Sequence, residues 1–343
     1  MKLVSYSEGS DERMGLYIDG KIYNLSDNAH SLGEGILPDN MADFLKYGEK
    51  AMAIATAVDK KIKESKTGII SASVSEKNLL APVPHPTSCR DGYAFRQHVE
   101  TARRNRKVPM IPEFDQYPVF YFTNHNAIQG PGDVYCMPDH FDKLDFELEA
   151  AIVIGKKGRN IKAEDADKYI AGYMIMNDLS ARTLQMEEML LNLGPAKGKD
   201  FSTVIGPWLV TPDELEPYKT SPHSGHTGNS YNLSMNCRVN GKTLSTGNLK
   251  DMYWTFAELI ERCSYGVDLL PGDVIGSGTV GTGCFLELNG TGLLNDPSYK
   301  PQWLNEGDVV EMEITGLGLL SNTIRKEKTS YSLLALKKIS EII

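Results

Sequence analysis

Residues 143–154 read KLDFELEAAIVI, and the second half of this stretch is an apolar run of strand type. A buried strand here sets the expectation of a β-rich core. Successive strand side chains point to opposite faces, so Glu147 and Glu149 share one face while Phe146, Leu148 and Ala150 share the other. The two carboxylates stand about 7 Å apart along that face and lead straight into the apolar run. Acidic groups so placed are costly unless something compensates them. A hard divalent cation with a preference for oxygen, such as Mg²⁺ or Ca²⁺, is one compensator. A solvated strand face is the other reading, and from this stretch alone the two stand level.

Outward from it, strand-like runs cover residues 118–122, 145–154, 169–177 and 204–210. Two Gly-Asp turns, Gly272-Asp273 and Gly307-Asp308, each lead into a further apolar β-like run, Val274-Ile275 and Val309-Val310. Helical patterns are fewer, at 181–191 and 253–263. Upstream, residues 79–90 (LLAPVPHPTSCR) form a linker in which Pro82, Pro84 and Pro86 forbid a regular helix. Before the linker, Asp19-Gly20 between LYI and KIY signals a hairpin. Asn40 then precedes one long amphipathic stretch, with Met41, Phe44, Leu45, Met52, Ala55, Val58 and Ile62 at helical spacing as far as about Glu64. The expected architecture is α+β, mostly β, with a small amino-terminal unit over residues 1–78 and a main domain over 79–343.

Composition narrows the classes. The 343 residues are 41% hydrophobic and 24% charged, with 36 basic against 45 acidic side chains and a net charge of −9. A chain this acidic has no electrostatic reason to bind nucleic acid or an anionic membrane. No apolar run reaches spanning length, and Met1–Tyr6 passes at once into SEGSDER without the apolar core of a leader. The five cysteines are scattered, odd in number and lack a CxxC pair, so reduced thiols in a cytoplasmic protein are expected.

Four further segments could carry chemistry. In YMIMNDLSARTLQ (173–185) an apolar run ends at Asp178, placed either for a site or as a helix cap. Arg182, Gln185 and Met189 follow at i, i+3 and i+7 on one helix face. DGYAFRQH (91–98) holds a lone histidine, His98, which by itself reads as structural; Lys199 in GKDF (198–201) by itself reads as a surface lysine. GSGTVG (276–281) matches a dinucleotide fingerprint by letter, but that motif must open a helix. TGCFLELNG follows instead, and Gly281, Gly283 and Gly290 make a poor helix. A glycine-rich loop offering amides to an oxyanion fits better. There is no GxSxG nucleophile elbow, no HExxH and no cysteine cluster for zinc.

In this order along the chain, Asp91 with Arg-Gln-His98, the DFELE of 145–149, the NDLSAR of 177–182 with Gln185, Gly198-Lys199, and Gly278-Thr279 followed by Leu286-Glu287 resemble the fumarylacetoacetase (fumarylacetoacetate hydrolase) family. The resemblance covers roughly residues 79–343. It implies a mixed β-sandwich roll preceded by a small α/β accessory domain, a homodimer, and Asp91, Glu147, Glu149 and Asp178 as ligands of one divalent cation. Mg²⁺ is the first expectation, with Ca²⁺ and Mn²⁺ as alternatives. It further implies that His98 and Glu287 activate water, that Arg182, Gln185 and Lys199 polarise substrate carbonyls, and that Thr279 with Gly278 contacts a substrate carboxylate. The implied reaction is hydrolysis of a carbon–carbon bond in a small diketo acid, of fumarylacetoacetate or acylpyruvate type, as in aromatic amino acid catabolism.

The chemistry is coherent on physical grounds. Cleavage between carbonyls needs a sink for the departing carbanion, which a Lewis-acidic cation supplies. It also needs a general base, worth roughly 10²–10⁴-fold in rate. Two positions depart from the long members of the family. Met189 stands where they carry a substrate-contacting tyrosine, and Lys107 where they carry an arginine, with Arg103, Arg104 and Arg106 close by. The pocket for the far end of the substrate is therefore expected to differ. The alternative within the enzyme class is a related keto-acid lyase or isomerase, either an oxaloacetate decarboxylase or a dienoic keto-acid hydratase or isomerase. A non-catalytic scaffold is the third reading, disfavoured because a scaffold needs none of these side chains.

Overall fold

The computed structural model describes residues 1–65, 69 and 79–338. The expected boundary after residue 78 falls at the edge of a segment outside that description. Two sheets dominate. The larger runs in the order Lys21–Asn24, Asp11–Ile18, Lys2–Glu8, Thr203–Val210, Ile170–Asp178, Leu148–Ile154, Val274–Gly276, Cys89–Gly92, Phe120–Thr123. Short strand Ile128–Gln129 joins it in parallel with Thr203–Val210. The smaller sheet runs Lys242–Asn248, Ser234–Val239, Val309–Ile314, Gly318–Lys326, Gly132–Cys136. The architecture is mixed α and β, mostly β, as the sequence pattern indicates.

Strand Leu148–Ile154 is central and wholly buried, which explains its near-continuous apolar composition. Leu148, Ala150, Ile152 and Ile154 face one core together with Met235, Met312 and Leu320 of the smaller sheet. Ala151 and Val153 face a second core with Phe44, Ala55 and Val58 of the amino-terminal helices. The amino-terminal strands extend the larger sheet, with Lys2 opposite Val210 and Leu3 opposite Leu209. The Asp19-Gly20 hairpin forms, pairing Ile18 with Lys21.

Three expectations need correction. The stretch from Met41 to Glu64 is two helices, Met41–Tyr47 and Glu49–Glu64, because Gly48 sits at φ 68 and ends the first with its own N–H on Phe44 and Leu45 carbonyls. The strand expected over 145–154 is interrupted: Leu144–Asp145 pairs with Ser180–Ala181 in a separate ladder, and the Glu147 N–H is taken by the Asn177 side chain at 3.0 Å. A helix, Phe285–Asn295, forms where the glycines argued against one. Its interior glycines are there for packing, since a Cβ on Gly290 would lie 2.5 Å from the Asn105 amide and one on Gly292 2.7 Å from the Tyr299 ring.

Candidate active site and metal centre

Cys89, Ala151, Met174 and Met176 all face the helix-covered core. By the two-residue strand period, Asp91, Glu149 and Asp178 fall on that same face. Register completes the cluster. Asp91 lies opposite Gly276, Gly276 opposite Ala151, and Glu149 opposite Met176. Gly276 is obligatory, because a Cβ there would stand 2.4 Å from Asp91 Oδ1. Glu147, just outside the strand, completes a group of four buried carboxylates with ligand atoms within 4.8 Å of one another.

Electrostatics mark this cluster as short of positive charge. Lys199 and Arg182 supply two cations against the buried carboxylates of Asp91, Asp145, Glu147, Glu149 and Asp178. The Lys199 ammonium donates to Glu147 and, at 2.7 Å, to Asp178. Arg182 donates to Asp145 through Nε at 2.9 Å and to Glu147 through Nη2 at 2.7 Å. Burial raises the Glu147 carboxyl, but Lys199 and Arg182 outweigh it and hold the group at about 2. Asp91 is pushed up to about 7 by burial and by the Asp178 charge. Glu149 goes well above the carboxylate range through burial and its neighbours Asp91, Glu147 and Asp178. Glu149 Oε2 and Asp178 Oδ1 are buried with no hydrogen-bond donor among the described residues. Oxygen-only donors, two of them orphaned, and an excess of negative charge fit a hard divalent cation. Asp91, Glu147, Glu149 and Asp178 are the residues that would hold it.

Beside the carboxylates, helix Arg96–Asn105 carries His98 and helix Phe285–Asn295 carries Glu287. His98 Nδ1 meets Glu287 Oε2 at 2.6 Å, and Glu287 Oε1 accepts the Thr282 N–H at 2.9 Å. The Asn105 amide donates to the Glu287 carbonyl at 3.0 Å and ties the two helices together. His98 and Lys199, with Tyr93, Tyr121 and Thr279, line an inner cavity of about 230 Å³. A contiguous outer cavity of about 660 Å³ shares Tyr93, His98 and Glu147 and is lined by Arg182, Gln185 and Met189. The structure thus gathers every expected residue but one. Lys107 is exposed and absent from both cavity linings, whereas its neighbour Arg106 reaches the outer one. Thr279 donates to Glu149 Oε1 at 3.3 Å, and the Gly278 N–H donates to Asp91 Oδ1 at 3.0 Å.

Three residues that the sequence analysis did not single out belong to this machinery. Tyr121 donates its hydroxyl to Asp178 Oδ2 and walls the inner cavity. Asp145 caps helix Phe285–Asn295 by accepting the Phe285 and Leu286 N–H groups at 2.7 and 2.9 Å. Because it also anchors Arg182, it positions that guanidinium and Glu287 at once. The Glu188 carboxylate accepts the N–H groups of Ala196, Lys197 and Gly198 at 2.7–3.1 Å, fixing the turn that presents Lys199. Asp145 had a sequence signal, its alternation with Glu147 and Glu149; Tyr121 and Glu188 had none.

A family model describing the carboxy-terminal domain of fumarylacetoacetate hydrolase matches residues 87–325. The chain belongs to the fumarylacetoacetate hydrolase family. Among relatives in this family, it is 34% identical over 336 residues to oxaloacetate tautomerase fahd2, mitochondrial, of Xenopus laevis, covering 94% of this chain and 90% of that one. It is 30% identical over 319 residues to oxaloacetate tautomerase YisK of Bacillus subtilis, covering 91% of this chain and 95% of that one. The fold also matches the solved fumarylacetoacetate hydrolase of Exiguobacterium antarcticum, with a TM-score of 0.67 and 24% identity over 95% of this chain and all of that one.

Proposed function

We propose that this protein interconverts the enol and keto forms of oxaloacetate or a close keto acid, using a divalent cation held by Asp91, Glu147, Glu149 and Asp178. The observation that carries the reading is the His98–Glu287 pair, whose histidine lines the inner cavity together with Lys199, Asp91 and Glu147. Two relatives spanning more than nine-tenths of the chain and named oxaloacetate tautomerases support it. When bound, the cation supplies Lewis acidity to the oxygens of the keto acid. Glu287 accepts a hydrogen bond from the Nδ1–H of His98, which keeps that proton on Nδ1 and leaves Nε2 as the base. Nε2 lifts a proton from the carbon beside the carbonyl, and the C–H electron pair becomes the carbon–carbon double bond of the enolate. The Lys199 ammonium faces the charge that develops on oxygen. The proton returns from the imidazolium to that oxygen, so neither water nor a redox partner is consumed.

Hydrolysis of a carbon–carbon bond ranks second. The same dyad could activate water, but the two long relatives are named for isomerisation. The test follows the enol absorbance of oxaloacetate in aprotic-quenched and buffered samples with Mg²⁺ or Mn²⁺, alongside product formation from acetylpyruvate. Acceleration of enol loss above the buffer rate, without pyruvate release from acetylpyruvate, is the expected result. Pyruvate release with no acceleration would move hydrolysis to first place.

A further inference from the structure

A second group of ligating side chains closes around the base itself. One ligand atom each from His98, Cys284 and Glu287 lies within 4.8 Å of the others, and all three residues are buried. His98 comes from helix Arg96–Asn105, while Cys284 is the N-cap of helix Phe285–Asn295 and Glu287 stands in its first turn. The donor set differs in kind from that of the carboxylate cluster. Oxygen alone suits a hard ion such as Mg²⁺. Nitrogen, sulfur and oxygen together suit a transition ion of the Zn²⁺ type. The sequence has no cysteine cluster for zinc because this group takes one thiol and finds its other donors in space.

Geometry and charge both favour such an ion. In a tetrahedral zinc site, bonds of about 2.0 Å to nitrogen and 2.3 Å to sulfur hold those two ligands roughly 3.6 Å apart, so closure needs shifts on the order of 1 Å. His98 and Glu287 line the outer cavity, which gives the ion a path and leaves its fourth position to water. Burial first, and then the Asp145 charge, push the Cys284 thiol well above its ordinary range; Arg182 opposes them, and Glu147 adds to them. Surroundings that resist a lone thiolate accept one that arrives with a dication.

We propose that His98, Cys284 and Glu287 form an inhibitory site for Zn²⁺, separate from the carboxylate site for the hard cation. On binding, a zinc–sulfur bond forms and the S–H proton leaves to solvent. The His98 Nδ1 lone pair goes to zinc, so the ring proton moves to Nε2. Glu287 Oε2, released from its hydrogen bond to Nδ1, becomes the third ligand. No electron is transferred. With Nε2 protonated, the base is switched off. That loss of activity rests on His98 as the base proposed above, whereas the site itself does not.

The test adds metal alone to the Mg²⁺-saturated protein. Co²⁺, a coloured stand-in for Zn²⁺, is expected to give a sulfur-to-cobalt charge-transfer band that Zn²⁺ bleaches. Cys284→Ser, whose hydroxyl suits the N-cap position, should lack the band. One equivalent of Zn²⁺ should slow enol loss about tenfold or more in the parent and less than about twofold in Cys284→Ser, each against the same protein without zinc. Nitrogen NMR of the parent decides even if Cys284→Ser does not fold: zinc should move the His98 ring proton from Nδ1 to Nε2. No band, a band that survives in Cys284→Ser, or a tautomer unmoved by zinc would overturn the site. So would inhibition that excess Mg²⁺ reverses, since that places zinc among the four carboxylates. If the parent shows no enol activity at all, the band and the tautomer still decide the site, so the two readings fail separately.

Discussion

Replacing Glu287 with glutamine tests the proton-transfer scheme at its most exposed point. In the structure one carboxylate oxygen faces His98 Nδ1 at 2.6 Å and the other accepts the Thr282 N–H at 2.9 Å. Glutamine keeps the shape but has only one acceptor. If its oxygen stays on Thr282, its amide N–H faces Nδ1, and the imidazole proton must move to Nε2, where it blocks the base. If the amide turns over, two N–H groups face each other at Thr282, which costs about 1–3 kcal/mol for the unsatisfied donor. That cost leaves the productive orientation populated at roughly 1–15%. Loss of the negative charge that steadies the imidazolium adds to this, so kcat should fall about 10²- to 10⁴-fold. The assay is enol loss from oxaloacetate at saturating Mg²⁺, with a melting curve and a Mg²⁺ titration to show that fold and cation site persist. Nitrogen NMR of the His98 ring supplies the independent readout. The parent should carry its proton on Nδ1 and the variant on Nε2. Activity within about threefold of the parent, or an unchanged tautomer, would refute the positioning role of Glu287.

Other outcomes follow from the same geometry. Glu149→Gln should weaken Mg²⁺ binding by roughly 100-fold or more, since even residues behind a ligand cost 10–100-fold. Without cation it should melt higher than the parent, because glutamine is neutral where Glu149 must either carry a buried like charge or take up a proton against its ordinary range; a lower cation-free melting temperature would contradict the charge excess. His140 is buried, accepts the Met137 N–H on Nδ1 at 3.2 Å, and is held down at about 4, chiefly by burial and then by the Lys197 charge. The unfolded chain therefore binds this proton first as pH falls from 6.5 toward 4, and stability drops in that window, by roughly 3 kcal/mol once both states are protonated. Denaturant titrations should show His140→Asn, which retains an acceptor, losing that share of the pH dependence; an identical slope in both proteins would count against it. Gly292→Ala should destabilise by about 1–3 kcal/mol through overpacking on Tyr299, whereas a gain of about 0.5–1 kcal/mol, the usual helix-interior effect, would show that the ring gives way.

The chain-local signals were legible because they depend only on neighbours a few residues apart. The alternation of Phe146 through Ala150, the apolar run ending at Asp178 and the i, i+3, i+7 spacing of Arg182, Gln185 and Met189 express the strand and helix periods directly. Local pattern failed where packing outweighed propensity. Helix Phe285–Asn295 forms despite Gly290 and Gly292, because Asn105 and Tyr299 occupy the space that their side chains would need. At the end of helix Arg96–Asn105, it is Arg106 and not Lys107 that reaches the outer cavity, since each residue past the helix turns the chain to another direction. What only the tertiary structure decided is the meeting of Asp91, Glu147, Glu149 and Asp178, and of His98 with Glu287 from 189 residues away. By themselves Glu147 and Glu149 stood level between a cation site and a wet strand face. Sheet register removed the water, added Asp91 and Asp178, and left Lys199 and Arg182 too few to balance the charge. Burial in one place, which no local pattern encodes, is the physical reason that these carboxylates call for a cation.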